Sequence, residues 1–297
     1  MITDISRSTS LVPTRLGRLA VHDTGPASPA SSSPGPARRT PRVAVLWHSM
    51  FVDSSSWDRV VSRLSAHRRL LVVDGPGYGG SDPLTRVTDM AECALAAGDL
   101  LDGLGITQPV DWVGNAWGGH VGYQLVGTQP ARIRSLVAVS APTTPLPDSD
   151  RKTLRMLSRV VRLLGPIGPL RAKIADAQLT EASRWNDPHA LAVIDGSLGR
   201  TTRESLANTL LSFIVGRDDL TEQAARGLVP YLFVASDDRG EWTPEQAVAA
   251  AERCVDAEVV VISGARTLIP VEQPDALAEA VLSFWAAGSD DPGRSEE

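Results

Sequence analysis

Residues 112–122 read Trp-Val-Gly-Asn-Ala-Trp-Gly-Gly-His-Val-Gly, and they carry the most chemical information in the chain. Gly114 and Gly118 stand around Ala116 with the spacing Gly-x-Ser-x-Gly. In that pattern a strand turns sharply into a helix and presents its central side chain as a nucleophile. Small residues are needed because the chain passes close to itself and larger side chains would collide. Here the tip is Ala116, and a methyl group cannot attack a carbonyl. A base is equally hard to find. The five histidines are His22, His48, His67, His120 and His189, and none follows residue 189. His120 falls one helical turn past the tip, where packing is the simpler reading. His22 and His67 read as peripheral, and His189 could face a cleft from a helix start at Asp187-Pro188.

The elements that must position this turn alternate between strand and helix. Apolar runs 11–14, 18–22, 43–47, 70–73, 110–113, 133–139, 231–235 and 258–262 predict eight strands. Helical periodicity over 54–64, 90–104, 117–126, 244–254 and 274–287 separates most of them. That order implies a mostly parallel sheet covered on both faces. From 142 to 228 only helical periodicity appears, over 154–164, 172–179, 187–198 and 203–215, so this block predicts a lid over the carboxyl edge of the sheet. The predicted division is a core of 1–141 with 229–287, a helical cap of 142–228, a mobile Pro/Ser-rich loop at 26–41 and a disordered acidic tail at 288–297.

Composition narrows the partners. The net charge of −6 leaves no basic footprint for nucleic acid. No apolar run approaches the ~20 residues that span a bilayer, so no membrane partner is expected. Cys93 and Cys254 have no metal-ligand spacing and read as small buried hydrophobes. With so few cysteines and no apolar leader, the expectation is a cytoplasmic chain without cofactor or metal, acting on a small organic molecule.

Four segments in order resemble one family. They are Leu46-Trp47-His48-Ser49-Met50, Asp74-Gly75-Pro76-Gly77-Tyr78-Gly79-Gly80-Ser81, the turn at 114–118, and Ser263-Gly264-Ala265-Arg266-Thr267 running on to Pro274. Together they resemble the α/β-hydrolase superfamily, in particular its capped esterases, epoxide hydrolases and haloalkane dehalogenases. The resemblance implies an α/β-hydrolase fold, with a mostly parallel eight-stranded sheet flanked by helices and a helical cap. Carried over by position, it places the nucleophile at Ala116, the acid at Arg239 and the histidine at Thr267, so all three triad positions are replaced. Asp237 or Asp238 could supply an acid after a slip of one or two residues. The resemblance also implies an oxyanion hole from the backbone N–H groups of Met50 and Trp117, and a supporting structural role for His48. The implied ligand pocket is lined by His48, Ser49, Met50, Phe51, Ala116, Trp117 and Thr267, with Leu154, Met156 or Leu211 from the cap. Arg239 and Arg266, if turned inward, would favour an anionic or carbonyl-bearing ligand.

Three functions fit these residues. The first expectation is a non-hydrolytic enzyme of small-molecule metabolism, of the lyase, isomerase or cyclase type. It would position and polarise an apolar, carbonyl-bearing molecule without a nucleophile. The second is a non-catalytic ligand-binding pseudoenzyme. The third is an ester or epoxide hydrolase with a triad not recognised in the sequence.

Overall fold

The computed structural model describes residues 7–25, 42–238 and 240–288. Eight strands form one sheet: β1 Ser8–Thr14, β2 Gly17–Asp23, β3 Val43–Trp47, β4 Arg69–Val73, β5 Val110–Asn115, β6 Ile133–Val139, β7 Tyr231–Ser236 and β8 Ala257–Ile262. Their order across the sheet is β1-β2-β4-β3-β5-β6-β7-β8. The first two pairings, β1 with β2 and β2 with β4, are antiparallel, and all later ones are parallel. The strands on both sides of β5 are therefore parallel to it, and their carboxyl ends open on one edge.

Period-two alternation divides the core between the two faces of the sheet. On β3, Val45 and Trp47 join one cluster while Ala44 and Leu46 join the other; on β4, Leu71 and Val73 alternate with Leu70 and Val72 in the same way. One face is covered by α1 Asp58–Leu64 and α12 Pro274–Ala287, through Val60, Val61, Leu277 and Trp285. The other is covered by α2 Met90–Gly103 and α3 Trp117–Thr128, through Ala97, Leu100, Val121 and Leu125. Fully buried strands of this kind read as continuous apolar runs, which is why the sequence located them.

Between β6 and β7 the chain is helical: α4 Asp148–Leu164, α5 Gly168–Gln178, α6 Glu181–Asn186, α7 Pro188–Arg200, α8 Arg203–Thr209, a π-helical stretch Leu210–Val215, and α9 Thr221–Ala225. Two differences from the sequence reading have local causes. Helix α4 begins six residues before the expected 154, because its first turn holds Asp148 and Asp150 and shows no apolar spacing. The stretch 203–215, read as one helix, changes to π geometry at Leu210. The remaining helices are α10 Pro244–Ala251 and α11 Ile269–Glu272. The loop at 26–41 and the tail from 289 lie outside the described residues.

Direct contacts tie the helical block to the sheet. Arg59 on α1 holds Asp187 at 2.9 Å and the Val271 carbonyl at 2.8 Å. Arg200 holds Asp53 at 3.0 Å, and Asn208 donates to the Leu84 carbonyl at 2.8 Å. Among the described residues no helix is long and apolar enough to cross a membrane, and no cluster of His, Cys, Asp and Glu could hold a metal ion.

Candidate active site

Three non-glycine residues among those described have positive φ: Phe51 at 70°, Ala116 at 45° and Ser140 at 49°. All three follow the carboxyl ends of adjacent strands, β3, β5 and β6. Such conformations cost on the order of 1–3 kcal/mol each and persist where the surroundings impose them, typically at functional sites. At Ala116 the cause is visible. Its N–H bonds the Val139 carbonyl at 2.7 Å, and its carbonyl accepts from His120 N at 3.0 Å to open α3. The strand is thereby bent into the helix within one residue. The Trp112 indole donates to the Gly118 carbonyl at 2.9 Å and holds the far side of the turn. Replacing Ala116 with glycine should relieve this strain and, after the entropy lost by the glycine, stabilise the fold by about 1 kcal/mol. Urea unfolding checks it, and a destabilised variant would mean that position 116 is unstrained.

The other resemblance-implied residues lie around this turn. Thr267 is fully buried, and its carbonyl accepts from the Asn115 amide at 2.9 Å, next to Ala116. The Thr267 hydroxyl donates to the Ala177 carbonyl at 3.3 Å. Ser49 is buried and donates to the Gln178 side chain at 3.3 Å. Met50 and Phe51 lie under the Tyr78 hydroxyl, which accepts from Phe51 N at 3.4 Å and also faces Thr209 at 3.4 Å. Burial pushes the Tyr78 phenol up to about 12, so it stays neutral. The Trp117 ring stacks on Phe213 of the π-helical stretch at 4.8 Å and meets Trp47 edge-on at 5.7 Å. The helical block thus lies directly on the turn. Arg239 lies outside the described residues.

The remaining candidate residues divide between packed and exposed positions. His48 offers a ligand no polar atom: Nδ1 donates to the Ser49 carbonyl at 2.6 Å, and Nε2 accepts from Gly75 N at 2.9 Å. Burial holds its pKa down. Met156 is 65% exposed and points away from the site, and Leu154 and Leu211 are only half buried. His189 is exposed on α7. His120 is neutral, because burial and the Arg217 charge both hold its pKa down; its Nε2 sits 3.1 Å from the Pro142 carbonyl and 3.0 Å from Arg217. Arg266 is buried but committed, to Asp238 at 2.9 Å and to the carbonyl of Asp176. The loops after β7 and β8 therefore meet through Asp238 and Arg266, beside Thr267.

His22 is not peripheral. Its Nε2 lies 3.2 Å from Asp74, whose carboxylate also accepts from Ser54 N and Gly80 N, each at 2.8 Å. Burial alone would raise the Asp74 pKa, but the His22 contact and the two amides hold it at about 2. The same contact raises the pKa of His22. The Asp74 contribution is present above its unfolded pKa and is lost as pH falls through about 2, roughly 2 kcal/mol in all. The His22 contribution is complete below its unfolded pKa and is lost as pH rises through its raised folded value. Stability should therefore peak between those limits, and His22→Ala should flatten the fall on the alkaline side. Thermal unfolding across pH measures both. The signal for this contact was a histidine paired across β2 and β4, which only the strand register shows.

A depression of about 410 Å³ lies elsewhere, between β8 and α12, lined by Leu232, Glu258, Val260, Ile262 and Phe284. None of the residues described around Ala116 lines it.

A sheet of this order, with a strained strand-to-helix turn at the end of β5, defines an α/β-hydrolase fold. Residues 44–280 match the model of the alpha/beta hydrolase family, and the chain belongs to that family. It is 26% identical over 261 residues to the pimeloyl-[acyl-carrier protein] methyl ester esterase of Pectobacterium carotovorum subsp. carotovorum (strain PC1), covering 82% of this chain and 94% of that one. A thermophilic esterase from Thermogutta terrifontis superposes with a TM-score of 0.83 at 23% identity, over 95% of this chain and 99% of the other. The enol-lactonase of Burkholderia xenovorans LB400 does so with 0.81 at 20% identity, over 93% and 100%. These two likenesses show the fold. The names of all three proteins denote hydrolysis of esters or lactones, and this overturns the non-hydrolytic chemistry expected from Ala116. That expectation let the replaced positions 116, 239 and 267 outweigh the rest of the chain.

Proposed function

We propose that the chain is a slow hydrolase of carboxylic esters, in which water attacks the carbonyl directly and no acyl-enzyme forms. The observation that carries this reading is the strained turn at Ala116, kept in full although its side chain is a methyl group. A turn of this shape leaves the Trp117 N–H, the first of α3, without an acceptor inside its helix and at the positive end of the helix dipole. In this reading the N–H groups of Trp117 and Met50 hold the carbonyl oxygen and stabilise the charge that develops on it. Ala116, Arg239 and Thr267 occupy the three triad positions and supply neither nucleophile nor base. Ester binding with an oxyanion hole alone still accelerates hydrolysis about 10³–10⁴-fold over water. A small ester or lactone is the substrate class, in keeping with what the relatives' names say of them. The helices of 142–228 act as a cap. Ala116, Met50 and Trp117 are all buried, so the cap has to shift for a ligand to enter. Placement in the cytoplasm belongs to the same proposal, supported by Cys93 and Cys254 as free thiols.

A second reading, ligand binding without turnover, is favoured by one observation. Both ring nitrogens of His48, the histidine nearest the turn after β3, are engaged by backbone groups. Intact-mass measurement during incubation with a p-nitrophenyl ester and with a fluorophosphonate tests the main reading. Product without any covalent adduct is expected. A stable adduct would show a nucleophile that the reading denies, and absence of product would leave only the second.

A further inference from the structure

Helix α4 turns an apolar stripe toward solvent. Met156, Leu163 and Leu164 are 65%, 71% and 62% exposed, and Val160 and Ile167 are exposed with them. The spacing 156, 160, 163 and 164 keeps the helical members on one side, opposite the buried Ser158 and Val161, and Ile167 follows just past the end of the helix. Beside the stripe run Lys152, Arg155 and Arg159, all exposed. Their side chains have no ion-pair partner among the described residues. Most arginines exposed elsewhere do have one: Arg18 pairs with Asp82 and Arg86 with Glu92. The helix carries five basic and two acidic residues in a chain whose net charge is −6.

We propose that the outer face of α4 docks on an anionic lipid surface. Aliphatic side chains beside unpaired cations match a helix lying in the interface plane. The apolar stripe enters the acyl boundary while the cations meet lipid phosphates. A protein interface would also use Met156 and the arginines, but its core is enriched in aromatic residues and depleted in charge, and α4 contains no aromatic residue. That no described helix can span a bilayer bears only on crossing one, and lying on one is a different state. The inner face of α4 packs on α8 and the π-helical stretch, whose Phe213 stacks on Trp117. A docked α4 would therefore stand one layer from the turn at Ala116. The docking itself does not depend on what reaction occurs there.

Co-sedimentation of the full chain with vesicles tests this. Binding is expected to vesicles of phosphatidylcholine mixed with phosphatidylserine, and not to phosphatidylcholine alone. Raising the salt should release the protein, a control that needs no variant. Lys152→Gln/Arg155→Gln/Arg159→Gln should weaken binding about a hundredfold. Met156→Ser/Leu163→Ser should weaken it while leaving the thermal midpoint unchanged. Equal binding to both vesicle types, or to neither, would overturn the proposal. So would a dimer in size-exclusion chromatography that Met156→Ser/Leu163→Ser dissolves, since the stripe would then belong to a second copy.

Discussion

Ala116→Ser/Thr267→His should hydrolyse short p-nitrophenyl esters about 100- to 10,000-fold faster than the native chain, the range a positioned general base contributes. Ala116→Ser alone should stay within a few-fold of native. A serine at the turn has no base, and an unactivated hydroxyl is a poor nucleophile. The second substitution supplies that base at the place where the Asn115 amide holds the Thr267 carbonyl, at 2.9 Å. Asp238 follows β7 and is paired with Arg266 at 2.9 Å, so the rate gain is expected from the base alone. Fluorophosphonate labelling gives the same contrast without substrate: none in the single variant, clear labelling in the double. Strong labelling of Ala116→Ser alone would show that a base already faces position 116. It would contradict the assignment of His48 and His120 to backbone contacts.

Gly118→Ala should cost more than about 4 kcal/mol, in the range reserved for severe steric conflict, or abolish folding. A Cβ at this position would lie 2.1 Å from the Trp47 carbonyl oxygen and 2.7 Å from its carbon. Both are backbone atoms of β3, a strand paired on both sides, so no rotamer change can relieve the contact. Gly114 is limited in the same way by the backbone of Gly118, at 2.1 Å. Urea unfolding followed by circular dichroism measures the loss. A Gly118→Ala chain of native stability would mean that α3 does not approach β3 as closely as described.

The order of elements was legible because parallel strands buried on both faces must be apolar throughout, as 43–47 and 231–235 are. The turn at 114–118 was legible because close backbone approach admits only small residues. The first turn of α4 and the short α6 were not, since neither carries an apolar period; α6 is fixed by Thr180, whose hydroxyl accepts from Ser183 N at 3.1 Å. Contacts that depend on register or on the packing of distant segments were also hidden. The His22–Asp74 pair joins residues 52 apart, and Ser49 meets Gln178 across 129 residues. The commitment of Arg266 to Asp238 required the ends of β7 and β8 to be placed side by side. Function was misjudged for another reason. The sequence shows which side chains stand at positions 116, 239 and 267, and their replacement was read as a loss of hydrolysis itself.

The most direct measurement is the rate at which the native chain hydrolyses a short-chain methyl ester, divided by the uncatalysed rate under the same conditions. Direct attack of water on a carbonyl held by Met50 and Trp117 predicts a ratio of about 10³–10⁴. A ratio of one would contradict hydrolysis and leave a ligand-binding protein. A ratio near 10⁶ or above, the scale on which an intact triad contributes, would contradict catalysis by the oxyanion hole alone.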